Sequence, residues 1–497
     1  MTDILKVNGF ETDTDTTSGS LTSEKLIFDV QSNIHYKSDG IDELLGDINT
    51  VFEFIKHHVQ NQIFRLSVLD DYYKGRNTAL FTANRRLAEN KSDHRIAHNF
   101  AKIITQFKVG YITGNPIKIT AVDKDVTDKI TEFNDLNETD TLNTELMTDV
   151  SKYGRAYEIQ YRNKDDEDIS VLSNVFETFV IYDTALDRQA IMGVRYVKVI
   201  KDTKDYYNVT LYTDKQVIQI NEVDLTASDF KNKFENADFS NHFYGDVPVI
   251  EYANNRFRMG DYEDMLSLFD AYDQATSDTA NHLTDTINSL LVISGDFKVA
   301  GLKAEDMSDQ IKKYNLLGLQ SGRDLSGKQT SVDAKYISPE LNISDADLYK
   351  ERLRKDIFSL SNVPDMTDQN FSGNSSGQAM KYKLFGFEQA ISATERVFKK
   401  SLIKRYKLLF SKLKTLKESK GLDELLKVTF IPNLPKAIAE ELKMLTDSGT
   451  PVSTRTKLGL VSFIDDADAE LDLIEEEEKN TQPTPNQYPD NFTTENE

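Results

Sequence analysis

Long stretches of the chain carry apolar residues every third or fourth position; one stretch carries them every second. From Ile41 to Tyr73, Leu44, Ile48, Phe52, Ile55 and Val59 fall at helical steps, predicting one long helix. Gly75 in "YYKGRN" stands where a C-terminal cap is expected. A second helix is expected from a cap at Ser92 or Asp93. Its stripe is Ile96, Phe100, Ile103, Phe107 and Tyr111, and Gly114-Asn115-Pro116 stops it. Between about 150 and 252 the period drops to two. "AYEIQYR", "FVIYD", "IMGVRYVKVI", "YNVTLYT" and "KQVIQI" alternate between polar turns, predicting an antiparallel sheet packed on helices.

From Gly260 the helical period returns. Tyr262, Leu266, Phe269 and Tyr272 share one face, and Asp261, Glu263, Asp264, Asp270, Asp273 and Asp278 make the other acidic. A mixed insert with strand-like "LLVISG" and "VDAKYI" spans 289 to 342. The next helix, "ISDADLYKERLRKDIFSLSN", has Ser344 and Asp347 in capping-box-like positions and a basic centre of Lys350, Arg352, Arg354 and Lys355. Pro364 helps end it. A soft loop, "DQNFSGNSSGQ", opens into a helix from about Gly377 to Lys417, roughly 60 Å long at the α-helical rise. Gly386 inside it is a candidate kink site. Residues 422 to 474 read as shorter helices, and the acidic, Pro/Asn/Thr-rich end as a disordered tail.

Composition narrows the function. At 497 residues two to four packed units are expected, and 39% hydrophobic residues exclude wholesale disorder. The net charge of −23 is spread along the chain, so any nucleic-acid role is local or uses repulsion. With no cysteine there are no disulfides or thiolate metal sites, which fits a reducing cytoplasm. No signal peptide and no membrane span are read.

The candidate chemistry is thin. Gly322, Gly327 and Lys328 in "GRDLSGKQ" match the spacing of a phosphate-binding loop, but Gln329 replaces the magnesium-binding Ser or Thr and a strand pattern follows where a helix is required. A flexible hairpin tip is the default. "HRIAH" puts His94 and His98 on one helical face, but Arg95 stands where a zinc protease needs Glu. The run Asp465 to Asp472 lacks the central glycine of a calcium loop. No catalytic residue, cofactor or metal ligand is assigned. The acidic and basic helices admit two readings: a hairpin with solvated charge, or faces by which neighbouring subunits of a ring fix their register.

The ordered segments resemble the portal proteins of tailed bacteriophages, in the family typical of long-tailed phages of Gram-positive bacteria. "YYKGRN" followed by "RRLAENKSDHRIAHNFAKIITQFKVGYITGNPIKI" is similar to the family's N-terminal signature. "VPVIEYANNRFRMGDYEDMLSLFDAYDQATSD" resembles the strand leading into the first stem helix. "NSSGQAMKYKLFGFEQAISATERVFKK" resembles the tunnel-loop exit and long helix, and "VSTRTKLGLVSFIDDADAELDLIEEEE" the C-terminal crown. The likeness covers about 50 to 478.

The resemblance implies a non-enzymatic α+β portal-type fold: a mixed α/β wing, two stem helices bracketing a small α/β clip, one long kinked helix and a helical crown. It implies a ring, usually dodecameric, at one capsid vertex, through which double-stranded DNA passes without regard to sequence. Its partners are then itself, terminase, head-completion or adaptor proteins, and the major capsid and scaffolding proteins, with no membrane. Its place is the virion, after assembly in the bacterial cytoplasm. Carried over, residues 1–45 form an arm, 46–258 the wing, 259–288 the first stem helix, 289–342 the clip and 343–362 the second stem helix. The tunnel loop is 363–378, the long helix 379–418, the crown 419–474 and the tail 475–497. Loop residues Asp368, Asn370, Phe371, Ser372, Gly373, Asn374, Ser375, Ser376, Gly377 and Gln378 are expected to line the channel. Lys350, Arg354, Lys381 and Lys383 are candidate channel cations, and Gly322, Arg323, Gly327 and Lys328 mark the clip tip. Two other readings stay open: a phage structural or scaffolding protein without a DNA conduit, and a nucleotide-dependent enzyme using Gly322 to Lys328.

Overall fold

The structure is a computed structural model. It describes residues 30–82, 92–286, 290–294, 327–328, 333–337, 343–365, 377–422 and 425–433, with scattered positions between 453 and 477. The chain divides into two compact units. One comprises Met1–Pro364 with Phe387–Pro432, the other Asp365–Gly386 with Asn433–Glu497.

The helices are α1 (Ile41–Gly46), α2 (Ile48–His57), α3 (Ile63–Tyr73), α4 (Thr78–Thr82), α5 (Phe100–Thr113), α6 (Lys124–Leu136), α7 (Thr139–Tyr153), α8 (Phe230–Glu235), α9 (Leu266–Thr286), α10 (Ile343–Ser361) and α11 (Gly377–Leu416). The strands are β1 (Tyr36–Ser38), β2 (Lys118–Thr120), β3 (Arg155–Arg162), β4 (Asp168–Ser173), β5 (Thr178–Asp183), β6 (Ala190–Lys201), β7 (Lys204–Tyr212), β8 (Gln216–Val223), β9 (Asp238–Asn241), β10 (Val249–Ala253), β11 (Leu290–Ser294), β12 (Asp333–Ile337) and β13 (Lys427–Thr429).

The alternating segments become strands where expected. They form two sheets, ordered β1-β5-β6-β7-β8-β9 and β10-β3-β4. All their pairs are antiparallel except β1 with β5, which run parallel. In β6, β7 and β8 the alternation was legible because one face is the more buried: Val194, Tyr196, Val209, Leu211, Ile218 and Ile220 are all buried.

The first long helix is broken. It stops at Gly46, restarts at Ile48 and passes through a π turn at His58–Gln62. The extra residue of that turn brings His58 and Gln62 into the core. There His58 Nδ1 lies 2.5 Å from the Tyr196 hydroxyl, and Gln62 Nε2 donates to the Ile34 carbonyl at 3.1 Å. Gly75 does end α3, in the left-handed region at φ 74°.

The second predicted helix starts late. Ser92–Asn99 is neither helix nor strand, and α5 begins at Phe100, capped by Asn99, which accepts from the Lys102 N–H at 3.1 Å. Ile103, placed on the apolar stripe by spacing, is exposed; Ile104 and Ala101 are buried instead. The helical reading of 422–474 also gives way at Lys427–Thr429, which pairs as β13 with β2.

In the first unit, α11 is a core element. Phe398, Leu402, Tyr406 and Phe410 recur every fourth residue and are fully or almost fully buried. Phe398 packs on Tyr252 of β10, ring centroids 4.8 Å apart. Truncating such an aromatic costs about 3–5 kcal/mol. Arg405 on the same helix is completely buried against Glu158 of β3. Three guanidinium hydrogen bonds of 2.7–2.9 Å join them, and Arg405 also donates to Asn143 of α7. Burial opposes the Arg405 charge, but Glu158 beside it outweighs burial and holds its pKa above the ordinary value.

Candidate functional site

The elements that match the resemblance's stem and clip are α9, α10 and the hairpin β11–β12 between them in the chain. The hairpin pairs antiparallel from Leu290↔Ile337 to Ser294↔Asp333. How α9 is seated decides what the pair can do.

Its lead-in is pressed against the end of α7. Gly154 closes α7 at φ 80°, and a β-carbon there would lie 2.1 Å from the Arg258 carbonyl oxygen. One at Gly260 would lie 2.4 Å from the Lys152 carbonyl oxygen. Only glycine permits this backbone approach. Buried charges then hold the lead-in. Arg65 of α3 donates to Glu263 at 2.7 and 2.5 Å, and to the carbonyls of Tyr153 and Arg258. Lys108 of α5 donates to Asp261, Asn254 and Thr394 at 2.7–3.1 Å. Arg258 pairs with Glu251 at 2.8 Å. Burial alone would raise the Glu251 carboxyl, but Arg258, His35 and Arg155 bring it below the usual range.

Along α9 itself, Asp273, Ser277 and Asn281 recur every fourth residue. The segment Ser92–Asn99 lies against them. His94 N–H donates to Asn281 Oδ1 at 2.6 Å, Ile96 N–H to Ser277 Oγ at 2.9 Å and His98 N–H to Asp273 Oδ1 at 2.9 Å. A helix step of four residues, about 6 Å, matches a strand step of two, about 6.6 Å. The side-chain ladder replaces the backbone partners the segment would have had in a helix. Asp273 also accepts from His98 Nδ1 at 2.9 Å and from Asn77 Nδ2.

Four of the six acids read from the sequence as one face are engaged within the fold, while Asp264 and Asp278 are exposed. Asp261 and Glu263 neutralise Lys108 and Arg65, Asp270 accepts from the Tyr72 hydroxyl at 2.7 Å, and Asp273 is completely buried. Burial raises the Asp270 carboxyl pKa, opposed by the Tyr72 hydroxyl. Those four acids are not available to fix the register of a neighbouring subunit. The signal missed was the four-residue recurrence of short hydrogen-bonding side chains; the sequence reading had counted only their charge.

The basic centre of α10 is also satisfied locally. Lys350 pairs with Asp347 at 2.8 Å, Arg352 with Asp356 at 3.1 Å and Lys355 with Glu351 at 2.7 Å. The Arg354 guanidinium sits 5.7 Å from the Phe358 ring centroid. Leu353 and Ile357 are buried on the side packed against α9. The outer side leaves apolar groups in water: Leu348 is 64%, Tyr349 52% and Leu360 63% exposed, with Leu283 of α9 at 50%. Tyr349, Arg352, Asp356 and Leu360 follow one another at helical steps, so they form one outer stripe.

The other predicted residues fall as follows. Asp368, Asn370, Phe371, Ser372, Gly373, Asn374, Ser375 and Ser376 lie outside the described residues, as do Gly322 and Arg323. Gly377 and Gln378, expected in the loop, are already the first residues of α11. Lys381 and Lys383 are helical positions whose side chains are not among those described. α11 continues through Gly386 without interruption of its helical assignment. Gly327 adopts φ 80°, and it and Lys328 are exposed. A strand, β12, follows them where a phosphate-binding loop requires a helix. His94 and His98 sit on the non-helical segment Ser92–Asn99, not a helix face. Among the described residues no group of three or more His, Asp or Glu side chains could hold a metal ion, and no helix is long and apolar enough to cross a membrane.

The fold is of the α+β class, with α9 and α10 packed together and the β11–β12 hairpin between them in the chain. The chain belongs to the family described as phage portal protein, SPP1 Gp6-like, which matches residues 53–484. It is 22% identical over 423 residues to the portal protein of Bacillus phage SPP1, covering 82% of this chain and 81% of that one. It is 23% identical over 405 residues to the portal protein of Clostridium phage phiCD119, covering 78% of this chain and 86% of the other. The resemblance read from the ordered segments, and the α+β portal-type fold it implied, are borne out.

Proposed function

We propose that the chain is one subunit of a closed ring, dodecameric by the habit of its family, at one vertex of a phage capsid. Double-stranded DNA is packaged and ejected through the bore. One observation supports this reading beyond family membership: α10 pairs its charges within itself, yet the helix pair leaves Leu283, Leu348, Tyr349 and Leu360 in water. Neighbouring copies packed side by side would cover that apolar surface.

In this reading 46–258 is the wing, 259–288 and 343–362 the stem, and 289–342 the clip, whose tip carries Gly322, Arg323, Gly327 and Lys328. The clip docks the terminase motor during packaging and head-completion proteins afterwards. The tunnel loop, 363–378, leads into the long helix, with the crown at 419–474. Asn370, Asn374 and Gln378 offer phosphate only weak hydrogen bonds, and Gly373 and Gly377 keep the loop soft. A cation on each loop would become a ring of cations and grip the cargo; Asp368 opposes that. Lys381 and Lys383 add transient contacts at the helix root. Assembly takes place in the host cytoplasm and the product resides in the virion.

Deleting Phe371 to Gly377 tests the loop. Rings should still form by electron microscopy while DNA packaging fails. Normal packaging by loop-less rings would remove the loop from the mechanism.

A further inference from the structure

Away from the helix pair, the first unit holds a cleft of about 390 Å³ between the β5–β6 turn, the segment after β10 and one face of α11. From α11 the lining residues are Val397, Lys400, Ser401 and Lys404, at helical steps on the face beside that of buried Phe398, Leu402 and Arg405. From the β5–β6 turn come Asp187 and Arg188, and from the segment after β10 comes Arg256. Arg188, Arg256 and Lys400 are exposed, and none forms a salt bridge among the described residues. Lys404 reaches Asp246 only at 3.5 Å. Arg188 is held at φ 47°, in the left-handed region that a non-glycine residue enters at a cost. The acid at the floor, Glu251, is already engaged by Arg258 and by the Tyr182 hydroxyl at 3.0 Å.

The chain carries 82 acidic against 59 basic side chains, yet three exposed cations gather at this one concave site. Two arginine forks and a lysine around a concave site suit carboxylates, which a guanidinium can hold with two parallel hydrogen bonds. We propose that this cleft receives a carboxylate-bearing segment from a neighbouring copy of the same chain, and so supplies a charge-complementary contact between copies. This rests on the ring reading above.

A second copy suits the cleft better than a nucleic acid does. The volume admits a few side chains and not a duplex. Asp187 on the rim and the net charge of −23 oppose a long polyphosphate, whereas a neighbouring copy brings surplus carboxylates.

The test is zero-length carbodiimide cross-linking of assembled protein, mixed from isotope-labelled and unlabelled copies before assembly. Mixed-isotope cross-links from Lys400 or Lys404 to an Asp or Glu are expected. The double variant Arg256→Glu/Lys400→Glu should keep the wild-type melting temperature but raise the concentration for half-assembly by roughly tenfold or more in low salt. Arg256→Ala/Lys400→Ala should show a smaller shift in the same direction. Assembled rings whose cleft lysines cross-link only within one isotope would overturn the inference and leave the ring reading standing. Unchanged assembly with loss of DNA retention in the charge-reversed variant would overturn it in favour of a phosphate backbone. Wild-type protein that never assembles would overturn both.

Discussion

The body around α11 and the helix α10 handle charge in opposite ways. In the body, Glu158–Arg405, Arg65–Glu263 and Lys108–Asp261 are buried or nearly buried pairs joining segments more than 150 positions apart in the chain. On α10, Lys350–Asp347, Arg352–Asp356 and Lys355–Glu351 are neighbours one helical turn apart and stand partly or largely in water. The first kind fixes tertiary geometry, because a buried charge without its partner is costly. The second kind keeps a helix soluble and leaves its apolar positions free for another molecule.

The largest effect should come from breaking the strongest buried pair. Arg405→Met leaves Glu158 buried and unpaired and should cost about 3–5 kcal/mol in urea unfolding. Adding Glu158→Gln should restore part of that loss; two losses that simply add would mean the residues act independently. Asp273→Ala comes next. It removes an acceptor shared by Asn77 and by the backbone and ring of His98, at about 2 kcal/mol. Hydrogen exchange should speed up at the His98 amide, and at Ile96 and His94 if the ladder is cooperative.

A third effect comes from pH. Burial lowers His35 to about 4, lowers His57, and holds His58 well below 6.5. The folded rings stay neutral while the unfolded ones take up protons below 6.5. Stability is therefore full above that value and falls as pH drops from 6.5 toward 4, each unit of separation being worth about 1.4 kcal/mol per group. His58→Gln should flatten the fall, read from melting temperature across the window. The smallest effect belongs to the helix pair: Arg352→Ala should change monomer stability by under about 0.5 kcal/mol.

The same contrast explains what the sequence made visible. Local periodicity revealed β3, β5, β6, β7 and β8 and most helices, but not β1, β4 or β9 of the same sheets. It also placed the acidic residues of α9 correctly along the chain. It could not say which way they faced, since their partners, among them Arg65 and Lys108, lie some 150 to 200 residues away. Ser92–Asn99 was misread for the same reason. Ile96 and Phe100 happen to be four apart, while the ladder that holds the segment comes from residues 175 to 187 positions on. Strand β13 has three residues and a partner, β2, over 300 positions earlier, so no local pattern marks it. The ordered set of segments identified the family because it sums weak signals over most of the chain.

The central claim is that the exposed side of the helix pair is covered by neighbouring copies in a closed ring. End-view electron micrographs of the purified protein, paired with mass photometry, test it most directly. Wild type should give closed annuli with a central opening, and Tyr349→Asp/Leu360→Asp should give folded monomers with an unchanged melting temperature. Wild-type protein that stays monomeric at every concentration and salt, or annuli that form equally well from the double variant, would contradict it.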